Sequence, residues 1–166
     1  MDQEVLDSRP DGAHRHALGR AAPHHPITVL DDSERHEIYF HSNVTGRVRA
    51  NAESYPEVCF EASHAGKLLP SNVALEFGKQ YESVIAFGKI HIVEGEEPKR
   101  KALYGLIEKY FPEMTPGEHY RPITENELKR TSVYAISIES WSGKRNWKDR
   151  AEQSDQWAPL GEEWFK

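Results

Sequence analysis

The sequence predicts a mainly β protein with minor α content: a small antiparallel barrel of five to six short strands with two helices. Three observations carry this. Several segments after residue 26 alternate apolar and polar side chains with period two. The long segment Tyr81–Glu94 is apolar on both faces in its first half and holds Gly88 in its middle. Two stretches, near Pro98–Tyr110 and at Thr124–Glu127, carry helical signatures instead.

The chain of 166 residues suits a single core. Residues 1–26 hold only Val5, Leu6 and Leu18 as large aliphatics, along with several Gly and Pro. Such a segment buries too little apolar area to offset the entropy of ordering, so a flexible or atypical arm with no barrel strand is expected before Pro26. A split-barrel domain is expected over 27–146 and an irregular aromatic tail over 147–166, with Trp147, Trp157, Trp164 and Phe165.

Within the domain, Ile27–Leu30 is a short apolar run and Asp31–Arg35 a turn. In His36–Ser42, Ile38 and Phe40 share one face and Tyr39 and His41 the other. Glu57–Ala62 places Val58, Phe60 and Ala62 inward. In the long segment Val84 and Ala86 face one side, Ile85 and Phe87 the other. One face suits the barrel interior, and the other needs a helix or a second subunit. Gly88 marks a bend. Ser132–Ser140 aligns Tyr134, Ile136 and Ile138. Pro98 suits a first helical position, Ala102, Leu103, Leu106, Ile107 and Tyr110 recur at helical spacing, and Pro112 ends the run. Thr124-Glu-Asn-Glu127 is a capping box that opens a short helix.

Charge and composition exclude several function classes. Lys and Arg total 21 against 27 Asp and Glu, a net charge of −6, so a general nucleic-acid binder is not expected. No apolar run is long enough for a membrane span, and MDQEVLDSRPDG has no apolar core of a secretory signal, so a cytoplasmic protein without membrane contact is expected. Cys59 alone forms neither an internal disulfide nor a cysteine metal cluster. The arm histidines His14, His16, His24 and His25 match no zinc spacing, so no metal is expected.

The residues best suited to chemistry follow the first alternating strand, in His41-Ser-Asn-Val-Thr-Gly-Arg47. A phosphate monoester needs short donors and a cation. Ser42, Thr45 and the backbone near Gly46 supply donors, and Arg47 supplies a bidentate clamp. Arg49 would share a face with Arg47 in an extended chain. The same residues also make an ordinary polar hairpin loop. His41 is either a hydrogen-bonded rim residue or, above a redox cofactor, a catalytic proton donor. Ser83 and Tyr81 place hydroxyls on an apolar wall, suited to a planar ligand or to satisfied core contacts. Cys59, alternating with Val58 and Phe60, reads as a packed side chain.

In order and spacing, IYFHS…GR, YPEVCFEA, YESVIAFGKIHIVE, EKYFPE and YAISIESWSGKRN resemble the pyridoxamine 5′-phosphate oxidase-related flavoproteins, and within them the nitroimidazole-resistance branch. The resemblance spans about residues 27–150. It implies an FMN-binding split barrel working as a homodimer, with flavins at the subunit interface. It also implies that His41 and Ser42 meet the flavin phosphate and ribityl chain. Thr45, Gly46 and Arg47 match the phosphate turn, where many relatives have Lys in place of Arg47. Ser83 matches the SV strand, Trp141 an aromatic position near the partner's flavin, and Lys144 the GK element that follows. The activity so implied is an FMN-dependent oxidoreductase that takes hydride from transiently bound NAD(P)H and reduces a small acceptor such as a nitro compound. No G-x-G-x-x-G provides a resident nicotinamide site. A non-catalytic flavin or haem binder, or a degenerate paralogue with an incomplete flavin site, is the alternative.

Overall fold

The structure, a computed structural model, describes residues 12–16 and 25–165, and for 12–16, 25 and 26 the backbone alone. Among the described residues seven strands form one antiparallel sheet. They are β1 (Gly12–His16), β2 (His25–Ile27), β3 (Leu30–Asp32), β4 (Glu37–Asn43), β5 (Glu57–Leu69), β6 (Gly78–Ile92) and β7 (Thr131–Asn146), in the order β2-β1-β5-β6-β7-β4-β3. Among the described residues three α-helices accompany them: α1 (Arg47–Ser54), α2 (Glu96–Tyr110) and α3 (Glu125–Arg130). The two edge strands, β2 and β3, are separated in the chain only by Thr28 and Val29. The sheet therefore curls back on itself, but among the described residues no ladder joins its edges, which is the split barrel that was expected.

Alternation sorts the side chains as predicted. Ile38, Phe40, Val58, Phe60, Ala62, Ala86, Ile90, Tyr134 and Ile136 form one buried cluster inside the barrel. Each large member contributes about 1.5–3 kcal/mol by leaving water. The Phe40 and Tyr134 rings stack with centroids 4.9 Å apart. Val84 and Ala86 are fully buried inward, whereas Ile85 and Phe87 turn outward and are 37% and 51% exposed. The ladder between β6 and β7 shifts register between Phe87 and Gly88. A Cβ on Gly88 would stand 2.0 Å from the Ser137 carbonyl oxygen. Glycine is required there because the neighbouring backbone occupies the space of a side chain.

Several expectations change. β1 pairs with β5, from Ala13 opposite Glu61 to His16 opposite Val58, and with β2. A strand thus precedes Pro26 and covers the β5 edge, where no barrel strand was expected. Backbone pairing needs no apolar side chains, so composition did not announce it. The mobility expected of residues 1–11 and 17–24 lies outside the described residues. β5 and β7 run on to Leu69 and Asn146, past their alternating stretches, because both pair along the long β6.

The segment after Gly46, expected as a turn leading into extended chain, forms α1 instead. Arg47 and Arg49 therefore do not share a face but diverge by roughly 200°. Ala52 and Val48 pack α1 against the core cluster. α2 begins at Glu96, so Pro98 is its third residue and not its first. Its Tyr110 hydroxyl ties the chain before β3, donating to the Val29 carbonyl at 2.7 Å and accepting from the Val29 N–H at 3.1 Å. The Thr124 capping box forms as predicted: Glu127 N–H donates to Thr124 Oγ1, and Thr124 N–H donates to Glu127 Oε2 at 2.9 Å. The tail docks on the β5–β6 connection, where Ser71 Oγ donates to the Glu152 carbonyl and Asn72 Nδ2 to that of Ser154.

Candidate functional site

β4 ends at Asn43, residues 44–46 bend, and α1 starts at Arg47. Gly46 precedes the helix with φ 126°, a conformation that L side chains rarely adopt. Among the described residues no side chain caps α1. Its first helical bond runs from Ala50 N–H to the Gly46 carbonyl, so the N–H groups of Arg47, Val48 and Arg49 lack helical partners. These free donors carry the positive end of the helix dipole. Arg47 is exposed beside them and has no partner among the described residues. Thr45 is exposed at the same bend and Ser42 is half-buried just before it.

Behind this turn lies a second polar group. Arg49 Nη1 donates to Ser132 Oγ at 3.0 Å and its Nε to Glu53 Oε1 at 2.6 Å. Ser132 is buried and sits opposite Ser42 in the β4–β7 ladder. Two residues on, the Tyr134 hydroxyl is fully buried with no hydrogen-bond partner among the described residues. Burial pushes its pKa up, and the nearby Ser132 hydroxyl and Arg49 charge offset part of that.

His41 faces elsewhere. Successive strand residues point to opposite sides, so His41 leaves the Ser42 face and lines a cavity of about 700 Å³ under α2. Leu103, Leu106, Ile107 and Phe111 form its apolar wall, and Arg121 and Glu127 also line it. Neither imidazole nitrogen has a hydrogen bond among the described residues. The ring opens to the cavity, yet the walls desolvate it and lower its pKa.

Ser83, Trp141 and Lys144 form a separate group. Ser83 pairs with Lys144 and Ala86 with Trp141 across β6 and β7. Lys144 Nζ lies 5.5 Å from the Tyr81 ring centroid, and Trp141 is half exposed. His41 pairs with Val133 on the same β7 strand. At about 3.3 Å per residue, roughly 36 Å of strand separates that point from Lys144. One protomer therefore divides the predicted residues among three places: the 42–47 turn, the α2 cavity, and the far end of β6–β7. Cys59 is half-buried opposite Phe87.

Residues 26–145 match the family model described as pyridoxamine 5′-phosphate oxidase. The chain belongs to this family. No curated protein matches the sequence. Among solved structures, the flavocytochrome Anf3 from Azotobacter vinelandii superposes with a TM-score of 0.77 at 22% identity, over 93% of this chain and 72% of that one. An FAD and heme binding protein from Mycobacterium smegmatis superposes with a TM-score of 0.79 at 21% identity, over 92% and 73%. A protein assigned to 5-nitroimidazole antibiotic resistance in Bacteroides thetaiotaomicron superposes with a TM-score of 0.71 at 17% identity, over 85% and 80%. At these identities the likeness is one of fold.

In this pyridoxamine 5′-phosphate oxidase family chain, the α1 turn fits an anion: it offers backbone donors, a hydroxyl and a cation unpaired among the described residues. Sequence reasoning named Ser42, Thr45, Gly46 and Arg47 for this turn and did not name Ser132 or the Tyr134 hydroxyl behind it. The Ser132-x-Tyr134 spacing sets both on the inward face with Ile136, and that was the available signal. Among the described residues no group of three or more His, Cys, Asp or Glu is placed to hold a metal ion.

Proposed function

We propose that the protein is a cytoplasmic, FMN-dependent oxidoreductase that acts as a homodimer and reduces a small acceptor. The observation that carries this is the uncapped start of α1, with Arg47 free beside it at the end of β4. The α1 N–H groups, Thr45 and Arg47 hold the phosphate, and Ser42 reaches the adjoining chain of the ligand. A bound flavin supplies two-electron redox chemistry, with NAD(P)H as transient donor and, as one acceptor class, nitro compounds. Ser83, Trp141 and Lys144 shape the ring pocket. They lie too far along β7 to reach the phosphate turn of their own protomer, which supports their serving a partner's flavin. The outward Ile85 and Phe87 on the central strand give that partner an apolar face. Among the described residues no helix is long and apolar enough to cross a membrane.

The test is the visible spectrum of the purified protein, followed by NADPH turnover with a nitro compound. Flavin bands and turnover are expected. Bands without turnover would support the second reading, a flavin carrier, and a colourless protein that takes up no added FMN would overturn both. Sedimentation is expected to give a dimer, and Phe87→Glu a monomer. A wild-type monomer at micromolar concentration would remove the shared site.

A further inference from the structure

We propose that the groove between α2, β3 and the start of β4 binds an organic amine, with the ammonium group on the Glu37 carboxylate and the apolar body along the groove wall. This goes beyond the flavin reading. Glu37 opens β4, and roughly 16 Å of strand separates it from Ser42.

Glu37 is the deciding residue. It shares the outward face of β4 with Tyr39, yet its side chain is only 17% exposed. Its Oε2 accepts from the Tyr39 hydroxyl and its Oε1 from Ser137 Oγ at 3.1 Å. Burial, together with the bond to Glu37, pushes the Tyr39 pKa up, so the phenol stays a neutral donor. Both close partners are therefore hydroxyls, which satisfy lone pairs but do not neutralise the charge. Among the described residues no Lys or Arg forms an ion pair with Glu37. Its one basic neighbour there is His91 Nε2 at 3.9 Å, too long for a hydrogen bond. Arg35 stands instead 3.8 Å from Asp32. A largely buried carboxylate normally meets a cation. This one lines a cavity.

The cavity holds about 1070 Å³, at the upper end for small-molecule sites. Its rim extends the same field. Asp32, Glu94, Glu97 and Glu108 add four carboxylates, against Arg35 and Lys101. Charge and walls together define the ligand class. A bare metal ion is not favoured, since among the described residues no three acidic or imidazole groups converge to hold one. Leu30, Ile92, Val93 and Pro98 give the groove an apolar wall. Tyr39 and Tyr104 add aromatic rings, whose faces attract ammonium groups. A cation carried on an apolar body uses the charge, the rings and the wall at once. Binding forms no covalent bond and moves no electron.

The test titrates three probes of similar shape into the purified full chain at pH 8, following backbone amide shifts. Phenethylamine is a cation there, 2-phenylethanol is neutral and phenylacetate is an anion. Phenethylamine is expected to saturate at one per chain, with its largest shifts at His91, Glu94 and Gly105. It is expected to bind at least tenfold more tightly than the alcohol, and phenylacetate is expected not to saturate. Glu37→Gln keeps the shape and the hydroxyl partners. It is expected to bring phenethylamine down to the affinity of the alcohol and to leave the alcohol unchanged. Lys101→Ala, at an exposed position, removes a competing cation and is expected to tighten phenethylamine binding about twofold. Equal wild-type affinity for amine and alcohol would overturn the proposal, as would shifts centred on Ile107 and Ile123 in the cavity on the other side of α2. Full phenethylamine affinity in Glu37→Gln would overturn it too. If Glu37→Gln fails to fold, unchanged or weaker phenethylamine binding by Lys101→Ala overturns it instead.

Discussion

Replacing Arg47 with alanine removes the one cation of the α1 turn that no neighbour among the described residues engages. A charge-assisted hydrogen bond to a phosphate oxygen is worth about 1.5–3 kcal/mol, and about 1.4 kcal/mol is a factor of ten in affinity. FMN should therefore bind Arg47→Ala roughly tenfold to a hundredfold more weakly. The exposure of Arg47 favours the lower end, since water screens the charge in the free protein. Binding should not vanish, because the free N–H groups of the first turn and the helix dipole remain. Riboflavin lacks the phosphate and should bind both proteins alike. Stability should hold within about 0.5 kcal/mol, as for a surface substitution that breaks no contact. Arg49→Ala is the informative contrast. It strips the buried Ser132 hydroxyl and Glu53 of a partner, so it should lower stability by about 1–3 kcal/mol and affect FMN and riboflavin together. Fluorescence quenching by both ligands, with urea melts of all three proteins, measures every quantity. If Arg47→Ala lost FMN and riboflavin affinity equally, or lost neither, the phosphate would be held elsewhere.

Three further outcomes are expected. Gly88→Ala drives a methyl into the Ser137 carbonyl and should cost about 1–3 kcal/mol in a denaturant melt. A loss under about 0.5 kcal/mol would mean that the β6–β7 ladder yields easily. Tyr134→Phe deletes a buried hydroxyl without a partner and should stabilise the protein by about 1 kcal/mol or more, whereas a loss would reveal a bound water or ligand there. The Arg121 guanidinium, helped by the Thr124 N–H and hydroxyl, lowers the Glu127 pKa from 4.5 to about 2. Its stabilising effect is complete above pH 4.5 and fades as the pH falls towards 2. The difference in melting temperature between wild type and Glu127→Gln should therefore be constant near neutrality and shrink below pH 4.5, and a difference flat down to pH 2 would contradict the ion pair.

The parts legible from sequence are those whose cause is local. Ile38 and Phe40, Val58 and Phe60, and Tyr134 and Ile136 alternate because a pleated strand has two faces, and water drives the apolar one inward. Thr124 and Glu127 satisfy each other's backbone within one turn, so the start of α3 could be written down directly. Pro112 closes the run after α2 for the same local reason. The 42–47 turn was legible as a collection of residue types because its donors are neighbours in the chain.

Tertiary structure decided the rest. α1 carries no N-terminal side-chain cap among the described residues and pairs Arg47-Val-Arg49 in an alternation that mimics a strand, and it becomes a helix because Val48 and Ala52 find the core. β1 owes its place to the open edge of β5, which backbone groups satisfy whatever the side chains. Gly88 announced a bend, but only the Ser137 carbonyl explains why no other residue serves. His41 and Ser42, adjacent in sequence and read together, lie on opposite faces of β4, one towards α2 and one towards the barrel. Sequence supplied the chemistry of the individual groups. Their division among the turn, the cavity and the far end of β7 followed from strand pairing and helix packing, which join residues distant in the chain and so leave no local pattern.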